Sequence, residues 1–138
     1  MNYARAIVDY NEPIRVYLAG GMESGWQEIL KDSTNACIFY DPRDSGLKEP
    51  LLYTNWDLKH VKKCDVIFIY IEKDNPSGIG LSVEIGYAKA LGKHIILVDE
   101  KEDDKRFDIV RACAYSDYTT NVLPYGIDHL MQIIKKEI

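Results

Sequence analysis

Apolar residues along this chain form short blocks that alternate with amphipathic segments. Blocks rich in Val, Ile and Tyr are typical of strands in a parallel sheet, because such strands are covered on both faces. These blocks predict strands at residues 14–19, 37–40, 66–71, 95–98 and 119–123. Apolar residues at helical spacing predict helices at residues 26–34, 55–63, 81–91, 107–115 and 127–138.

Turn-forming residues separate these elements. Gly20 and Gly21 end the first strand, the stretch DPRDSG at residues 41–46 ends the second, and residues 74–80 form a loop after the third. The chain up to about Leu52 is then expected to be mostly loop. Alternating strands and helices predict an α/β fold: a single doubly wound parallel sheet of about five strands flanked by helices. Ligands of such folds bind at the carboxyl ends of the strands.

Composition narrows the class of protein. The 138 residues suit one domain, 46% of them are hydrophobic and 28% are charged, as in soluble globular proteins. No apolar run approaches the ~20 residues of a membrane span, and the N-terminus shows no export signal, so we expect a cytoplasmic protein. The net charge of −5 repels polyanions, which argues against a nucleic-acid duplex as a partner but leaves a single nucleoside acceptable.

Metal and cofactor motifs are missing from the sequence. The cysteines and histidines lack the spacing of a zinc site: Cys37, Cys64, Cys113, His60, His94 and His129. The G-x-x-x-x-G-K-[ST] motif is absent, and the glycines after the first strand lack the third glycine of a dinucleotide fingerprint. We therefore expect no metal and no cofactor.

One acidic residue stands where chemistry is expected. Glu84 lies in the first turns of the helix that follows the glycine-rich loop, and the helix dipole there favours an ionised carboxylate, as a nucleophile must be. Gly78 and Gly80 would let the backbone approach a ligand closely. From the residues alone an alternative stays open: Glu84 only supports the helix N-terminus and the glycines only form the turn.

A longer pattern resembles a known family. Residues 77–93 (SGIGLSVEIGYAKALGK) are similar to the signature of the nucleoside 2-deoxyribosyltransferase family, in which the glutamate before the Ile/Leu-Gly-Tyr-Ala run is the nucleophile. Residues 16–21 (VYLAGG) resemble the family's first strand and turn, and residues 55–58 (NWDL) with Asp65 resemble its helix leading into the central strand. Together these stretches span roughly residues 14–98.

The resemblance implies roles for particular residues. Glu84 would attack the sugar, Tyr17 would orient Glu84 by a hydrogen bond, and Asp57 would hold the nucleobase or sugar. Tyr17 could instead be a core residue, and Asp57 a solvated helix residue. Asp65 is more simply explained as a strand-start cap than as a ligand. The residues expected to bind substrate are Gly20, Gly21, Asp74, Asn75, Ser77, Gly78 and Gly80.

The sequence departs from the family at one position. Family members often carry an aspartate six residues before the nucleophile, serving the leaving base, and here that residue is Gly78. Asp74 and Asn75 are the nearest replacements. Pro76-Ser77 also resembles related nucleotide N-hydrolases, whose serine in this loop contacts a 5′-phosphate. Three functions therefore stay open: base transfer between deoxynucleosides, hydrolysis of nucleoside 5′-monophosphates, and ligand sensing without catalysis.

Three further expectations concern the tryptophans, the turn after the second strand and the tyrosines. Trp26 and Trp56 lie near the segments that line the site, where an indole either stacks on a base or simply packs. Asp41 and Arg43 follow the second strand and either contact substrate or form a solvent-facing turn. Ten tyrosines supply amphipathic surface, and the resemblance implies a homo-oligomer that buries such surface. The expected small-molecule partners are a nucleoside or nucleotide and a free nucleobase.

Overall fold

A computed structural model describes residues 12–75 and 78–135. Five strands form one sheet: β1 (Ile14–Gly20), β2 (Cys37–Tyr40), β3 (Val66–Ile71), β4 (His94–Asp99) and β5 (Tyr118–Thr120). Five helices connect and follow them: α1 (Trp26–Ser33), α2 (Pro50–Lys63), α3 (Ile79–Ala90), α4 (Asp108–Ala114) and α5 (Leu123–Lys135). All strand pairs are parallel, in the order β2-β1-β3-β4-β5. The predicted α/β fold is confirmed.

The sheet is covered on both faces. Helices α2, α3 and α4 pack on one face through residues such as Val61, Ile85 and Val110, and α1 and α5 pack on the other through Leu30 and Leu130. The helix after β1 therefore leaves on one face, whereas the helix after β3 leaves on the other. This change of side opens a crevice at the carboxyl ends of β1 and β3, where doubly wound folds bind ligands.

Two helices begin earlier than predicted. Helix α2 begins at Pro50 and not near residue 55, because the Glu49 side chain accepts a hydrogen bond from the Leu52 amide (3.1 Å) and proline suits the first helical position. The predicted loop was therefore wrong from Pro50 onward. Helix α3 begins at Ile79, two residues earlier than predicted.

The C-terminal elements also shift toward the N-terminus. Strand β5 spans Tyr118–Thr120 and not residues 119–123, and α5 begins at Leu123 and not at residue 127. Pro124 lies in the first turn of α5, where its missing amide hydrogen leaves no helical hydrogen bond unmade. The predicted end of this helix, at residue 138, lies outside the described residues.

The described residues contain no helix that is both long and apolar enough to cross a lipid bilayer.

Packing of α5 against the sheet depends on a residue without a side chain. A Cβ atom at Gly126 would lie 2.5 Å from Cγ2 of Val98 on β4. We expect Gly126→Ala to lower the free energy of unfolding by about 1–3 kcal/mol, because the overpacked helix must move away from the sheet. Urea unfolding measures this change.

Gly86 provides the matched control. It lies inside α3, and an added Cβ would meet nothing within 4 Å. Gly86→Ala should raise the free energy of unfolding by about 0.5–1 kcal/mol, since alanine loses less backbone entropy on folding. Equal effects of the two substitutions would show that α5 does not pack this closely on β4.

Candidate active site

Three elements bring one tyrosine and two carboxyl groups together. Tyr17 projects from β1 into the layer formed with α2 and α3, where it is fully buried. Its hydroxyl donates a hydrogen bond of 2.5 Å to Oε2 of Glu84, which α3 supplies. Asp57, from α2, is half-buried and within hydrogen-bonding reach of both Glu84 and Tyr17. The three residues that the resemblance singled out therefore form one cluster.

Burial and a neighbouring carboxyl group disfavour ionisation of Glu84. Burial raises the pKa of Glu84 to about 8, the hydrogen bond from Tyr17 opposes this rise, and the neighbouring Asp57 adds to it. Burial also raises the pKa of Asp57. The pair therefore retains one proton at neutral pH, which an isolated carboxyl group would lose.

This pKa corrects the sequence-based argument about ionisation. The helix dipole at the start of α3 was expected to favour ionised Glu84, yet α3 begins at Ile79 and Glu84 is its sixth residue, beyond the turn where the dipole acts most strongly. The side chain is only 9% exposed, so loss of hydration dominates. The Tyr17 hydroxyl remains the donor, because burial and then the Glu84 charge raise the pKa of Tyr17 far above its usual range.

Asp57 and Glu84 line a cleft of about 800 Å³ at the carboxyl ends of the strands. A cleft of this size accommodates a small organic ligand such as a nucleoside. Most of the residues predicted to bind substrate also line it: Gly20, Gly21, Asp74, Asn75, Gly78 and Gly80. Ser77, the remaining one, lies outside the described residues, as does Pro76.

The glycines of the cleft differ in what they make room for. A Cβ atom at Gly20 would lie 2.5 Å from the Tyr70 carbonyl oxygen, and one at Gly21 would lie 2.7 Å from Oε2 of Glu72, so both positions are closed by the protein itself. Gly80 has nothing within 4 Å of an added Cβ. Of these three glycines, Gly80 fits the prediction of an open approach to a ligand best.

The departure from the family at Gly78 has a steric reason. A Cβ atom there would lie 2.2 Å from the Phe107 ring, which packs directly on the backbone. The side chain of an aspartate does not fit beside that ring. The same loop is also held by Lys101, whose ammonium donates a hydrogen bond to the Asn75 carbonyl oxygen. Asp74 lines the cleft one residue earlier and is exposed.

Several lining residues were not singled out from the sequence. Glu72 and Glu100 directly follow β3 and β4, and the rule that ligands bind at the carboxyl ends of strands would have found both. Tyr53 was missed because the first turn of α2 was interpreted as loop. The other lining residues were Met22, Glu23, Ser24, Pro42, Ser45, Leu47, Lys73 and Leu81.

The two tryptophans pack within the protein and are not among the residues that line the cleft. The Trp26 indole donates a 2.9 Å hydrogen bond to the Gly21 carbonyl oxygen and stacks on Phe68. Trp56 stacks on His60 with ring centroids 3.7 Å apart. Of the two interpretations that the sequence left open, the contacts of both side chains favour packing.

Asp41 and Arg43 also make contacts within the protein. Asp41 is buried, and its Oδ2 forms ion pairs with Arg43 (2.6 Å) and Lys31 (2.8 Å). This network explains why the pKa of Asp41 lies below its usual value even though burial opposes ionisation. The stretch after β2 is therefore fixed by internal charges, and Asp41 does not line the cleft.

The remaining candidates in the described part of the chain are cysteine nucleophiles and metal-binding side chains, and the structure supports neither kind. Burial raises the pKa of both Cys37 and Cys64 to about 12, so each thiol stays protonated and unreactive at neutral pH. Within residues 12–75 and 78–135, no group of three or more His, Cys, Asp or Glu side chains is arranged to hold a metal ion.

Fold and site thus define a class of protein. It is a doubly wound α/β domain with a carboxylate-lined cleft at its topological switch point. The family model described as "Nucleoside 2-deoxyribosyltransferase like" matches residues 13–102, which include β1 to β4 and the Tyr17, Asp57 and Glu84 cluster. The chain belongs to this family, as its sequence resemblance predicted. No curated protein sequence matches the chain.

Solved structures share the fold. The 2-desoxiribosyltransferase from Leishmania mexicana aligns with a TM-score of 0.64 and 16% identity, covering 91% of this chain and 100% of that one. The CMP N-glycosidase BcmB from Clostridium botulinum aligns with a TM-score of 0.56 and 22% identity, covering 90% of this chain and 99% of that one. At these identities the likeness extends to the fold alone.

The raised pKa of Glu84 predicts how stability depends on pH. The unfolded chain releases this proton near pH 4.5 but the folded chain only near pH 8, so stability is lost as pH rises between these values. Glu84→Gln keeps the shape and cannot ionise. We expect it to match the wild type near pH 4 and to be more stable by roughly 2–4 kcal/mol at pH 9, measured by urea unfolding.

Glu12→Gln is the matched control, because Glu12 is exposed and precedes the amino end of β1, whereas the cleft lies at the carboxyl ends of the strands. Its stability should follow the wild-type dependence on pH. A stability difference between Glu84→Gln and the wild type that does not change with pH would contradict a buried, protonated Glu84.

The contact between Gly78 and Phe107 predicts an energetic coupling. Gly78→Asp alone should destabilise the protein by about 1–3 kcal/mol, because the new side chain collides with the ring. In the Phe107→Ala background the same substitution should be nearly neutral, giving a coupling energy of about 1–3 kcal/mol. Gly80→Asp, where a Cβ meets nothing, should add to Phe107→Ala without coupling. Additive effects at Gly78 would show that Phe107 does not exclude the aspartate.

Proposed function

We propose that this protein is a nucleoside 2-deoxyribosyltransferase that uses Glu84 as its nucleophile. The observation that carries the proposal is a carboxyl group nine-tenths buried, held by the Tyr17 hydroxyl and facing a cleft of nucleoside size. Family membership supports the same chemistry, since the family is described by this activity. The Leishmania mexicana structure that shares the fold is named for it as well.

The proposed reaction has two displacement steps. In the first, a Glu84 oxygen forms a bond to C1′ of the deoxynucleoside while the bond from C1′ to the base nitrogen breaks, and that nitrogen takes up a proton. In the second, a nitrogen of another base attacks C1′, its proton returns to the protein, and the ester to Glu84 breaks. Two inversions give overall retention, as in retaining glycosidases.

The proton of the carboxyl pair suits the first step. Attack requires ionised Glu84, and departure of the base requires a proton, so the proton that Glu84 holds must move to Asp57 before attack. The hydrogen-bonding reach between Asp57 and Glu84 allows this transfer within the pair. Tyr17 keeps the attacking oxygen in place, because its hydroxyl donates to Glu84 throughout. Asp74, exposed on the cleft wall, is a second candidate for contact with the base.

A second candidate function is hydrolysis of nucleoside 5′-monophosphates. It is favoured by the shared fold of the Clostridium botulinum structure, which is named as a CMP N-glycosidase. Glu84 and Asp57 would have the same roles, and water would replace the second base in resolving the ester. The two functions differ in the acceptor and in the charge at the 5′ position.

Base exchange tests the proposal. The protein is incubated with deoxyinosine or thymidine together with free adenine, and formation of deoxyadenosine is followed by chromatography. We expect exchange in the wild type and a loss of at least about a thousandfold in Glu84→Gln, because the amide keeps the shape and removes the nucleophile. Tyr17→Phe should lower kcat about 10–100-fold through loss of positioning, and Glu12→Gln should retain full activity.

The outcomes separate the candidates. Water-dependent release of the base from a 5′-monophosphate, with no exchange, would replace transfer by hydrolysis. Wild-type rates in Glu84→Gln would refute the assignment of the nucleophile in either function.

The cellular location, oligomeric state and small-molecule partners of the protein stay predictions. We infer a cytoplasmic homo-oligomer that acts on a nucleoside or nucleotide and a free base. Large exposed apolar side chains on α2 to α4 and directly after α4 are the kind of surface that an oligomer would bury: Leu51 (66% exposed), Ile79 (81%), Ile109 (77%) and Tyr115 (87%).

A further inference from the structure

The cleft carries an unusual excess of negative charge. Among the described residues that line it, Lys73 is the only lysine or arginine. The carboxyl groups are six: Glu23, Asp57, Glu72, Asp74, Glu84 and Glu100. A ligand that brings a further negative charge into this cleft is repelled, and the repulsion is stronger than in water because the walls lower the effective dielectric constant.

Two of these carboxylates follow the central strands of the sheet. Glu100, directly after β4, accepts hydrogen bonds from the Tyr70 hydroxyl (2.6 Å) and from the Lys73 amide (3.1 Å). These bonds fix its position. Glu72, directly after β3, lies against the backbone of Gly21, where a Cβ would come within 2.7 Å of its Oε2. Glycine-rich turns at this point of doubly wound folds commonly receive phosphate groups, and here a carboxylate covers the turn.

Three cations outside the cleft lining, Arg43, Lys101 and Arg111, are engaged by other groups. Arg43 pairs with Asp41 and Glu28, outside the cleft lining. Lys101 donates to the Asn75 carbonyl oxygen. Arg111 pairs with Asp99 and Asp108 and donates to two backbone carbonyls. A phosphate entering the cleft would have to displace these contacts before a guanidinium could receive it.

We propose that Glu72 and Glu100 are specificity determinants that reject a 5′-phosphate and restrict the site to nucleosides with a free 5′-hydroxyl. This inference rests on the proposed function and names its substrate class. In the proposed reaction Asp57 and Glu84 serve the base and the anomeric carbon, and we place the remainder of the sugar against the carboxylates after β3 and β4, which line the same cleft. A hydroxyl donates a hydrogen bond to a carboxylate, whereas a phosphate dianion only repels it.

The test compares one nucleoside with its own 5′-monophosphate. We use deoxyinosine or thymidine, whichever reacts faster, and measure the ratio of kcat/KM for the nucleoside to kcat/KM for the monophosphate. The wild type should favour the nucleoside by at least about a hundredfold. Glu72→Gln and Glu100→Gln should each lower the ratio about tenfold, because one repelling charge is removed. Glu12→Gln, distant from the cleft, should leave it unchanged.

A wild-type ratio near or below one would overturn the inference, as would a ratio that neither substitution changes. If Glu100→Gln fails to fold, Glu72→Gln alone decides whether removing a carboxylate changes the ratio. Among the described residues that line the cleft, no hydrogen bond comparable to those of Glu100 depends on the Glu72 side chain.

Binding separates this inference from the proposed function. Calorimetry with Glu84→Gln measures the affinity for the nucleoside and for its monophosphate without turnover. Tighter binding of the nucleoside with no activity in the wild type would sink the proposed function and support the specificity. Activity of the wild type together with equal affinities for the two ligands would support the proposed function and overturn the specificity.

Discussion

Burial of the Glu84 carboxyl beside Tyr17 is the constraint on which the rest of the site depends. A carboxyl group removed from water is unfavourable as an anion, and here only the Tyr17 hydroxyl, at 2.5 Å, opposes the rise of its pKa. Asp57 raises that pKa further, so the site holds a proton that an isolated carboxylate would lose. The same arrangement lowers the stability of the unliganded protein at high pH and provides a proton for a leaving base.

The sheet order explains how these groups meet. Tyr17 comes from β1, Asp57 from the helix before β3 and Glu84 from the helix after it, so the cluster forms only when β1 and β3 pair. Because α1 and α3 leave on opposite faces, the crevice above this pair stays open. The fold therefore supplies rigid supports for the three side chains, and the loops after the strands supply the charge that surrounds them.

Patterning alone predicts the architecture of this chain well. The apolar blocks at β3 and β4 are buried on both faces and read directly as strands, and the family signature points to Glu84. What local patterns did not reveal are features that depend on tertiary contacts: the Phe107 ring that requires glycine at position 78, and the carboxylate of Glu72 over Gly21. The early start of α2 was readable, because Glu49 and Pro50 form a helix-start signal that was taken for a loop.

Detection of the covalent intermediate tests the central claim most directly. A deoxynucleoside analogue with fluorine at C2′ slows both displacement steps, since fluorine destabilises the oxocarbenium-like transition state, and a good leaving base keeps the first step fast enough to accumulate the ester. Peptide mass spectrometry then locates the added sugar. The account predicts one fluorosugar on the peptide that contains Glu84; an adduct on another residue, or turnover of the parent nucleoside with no adduct at all, would contradict it.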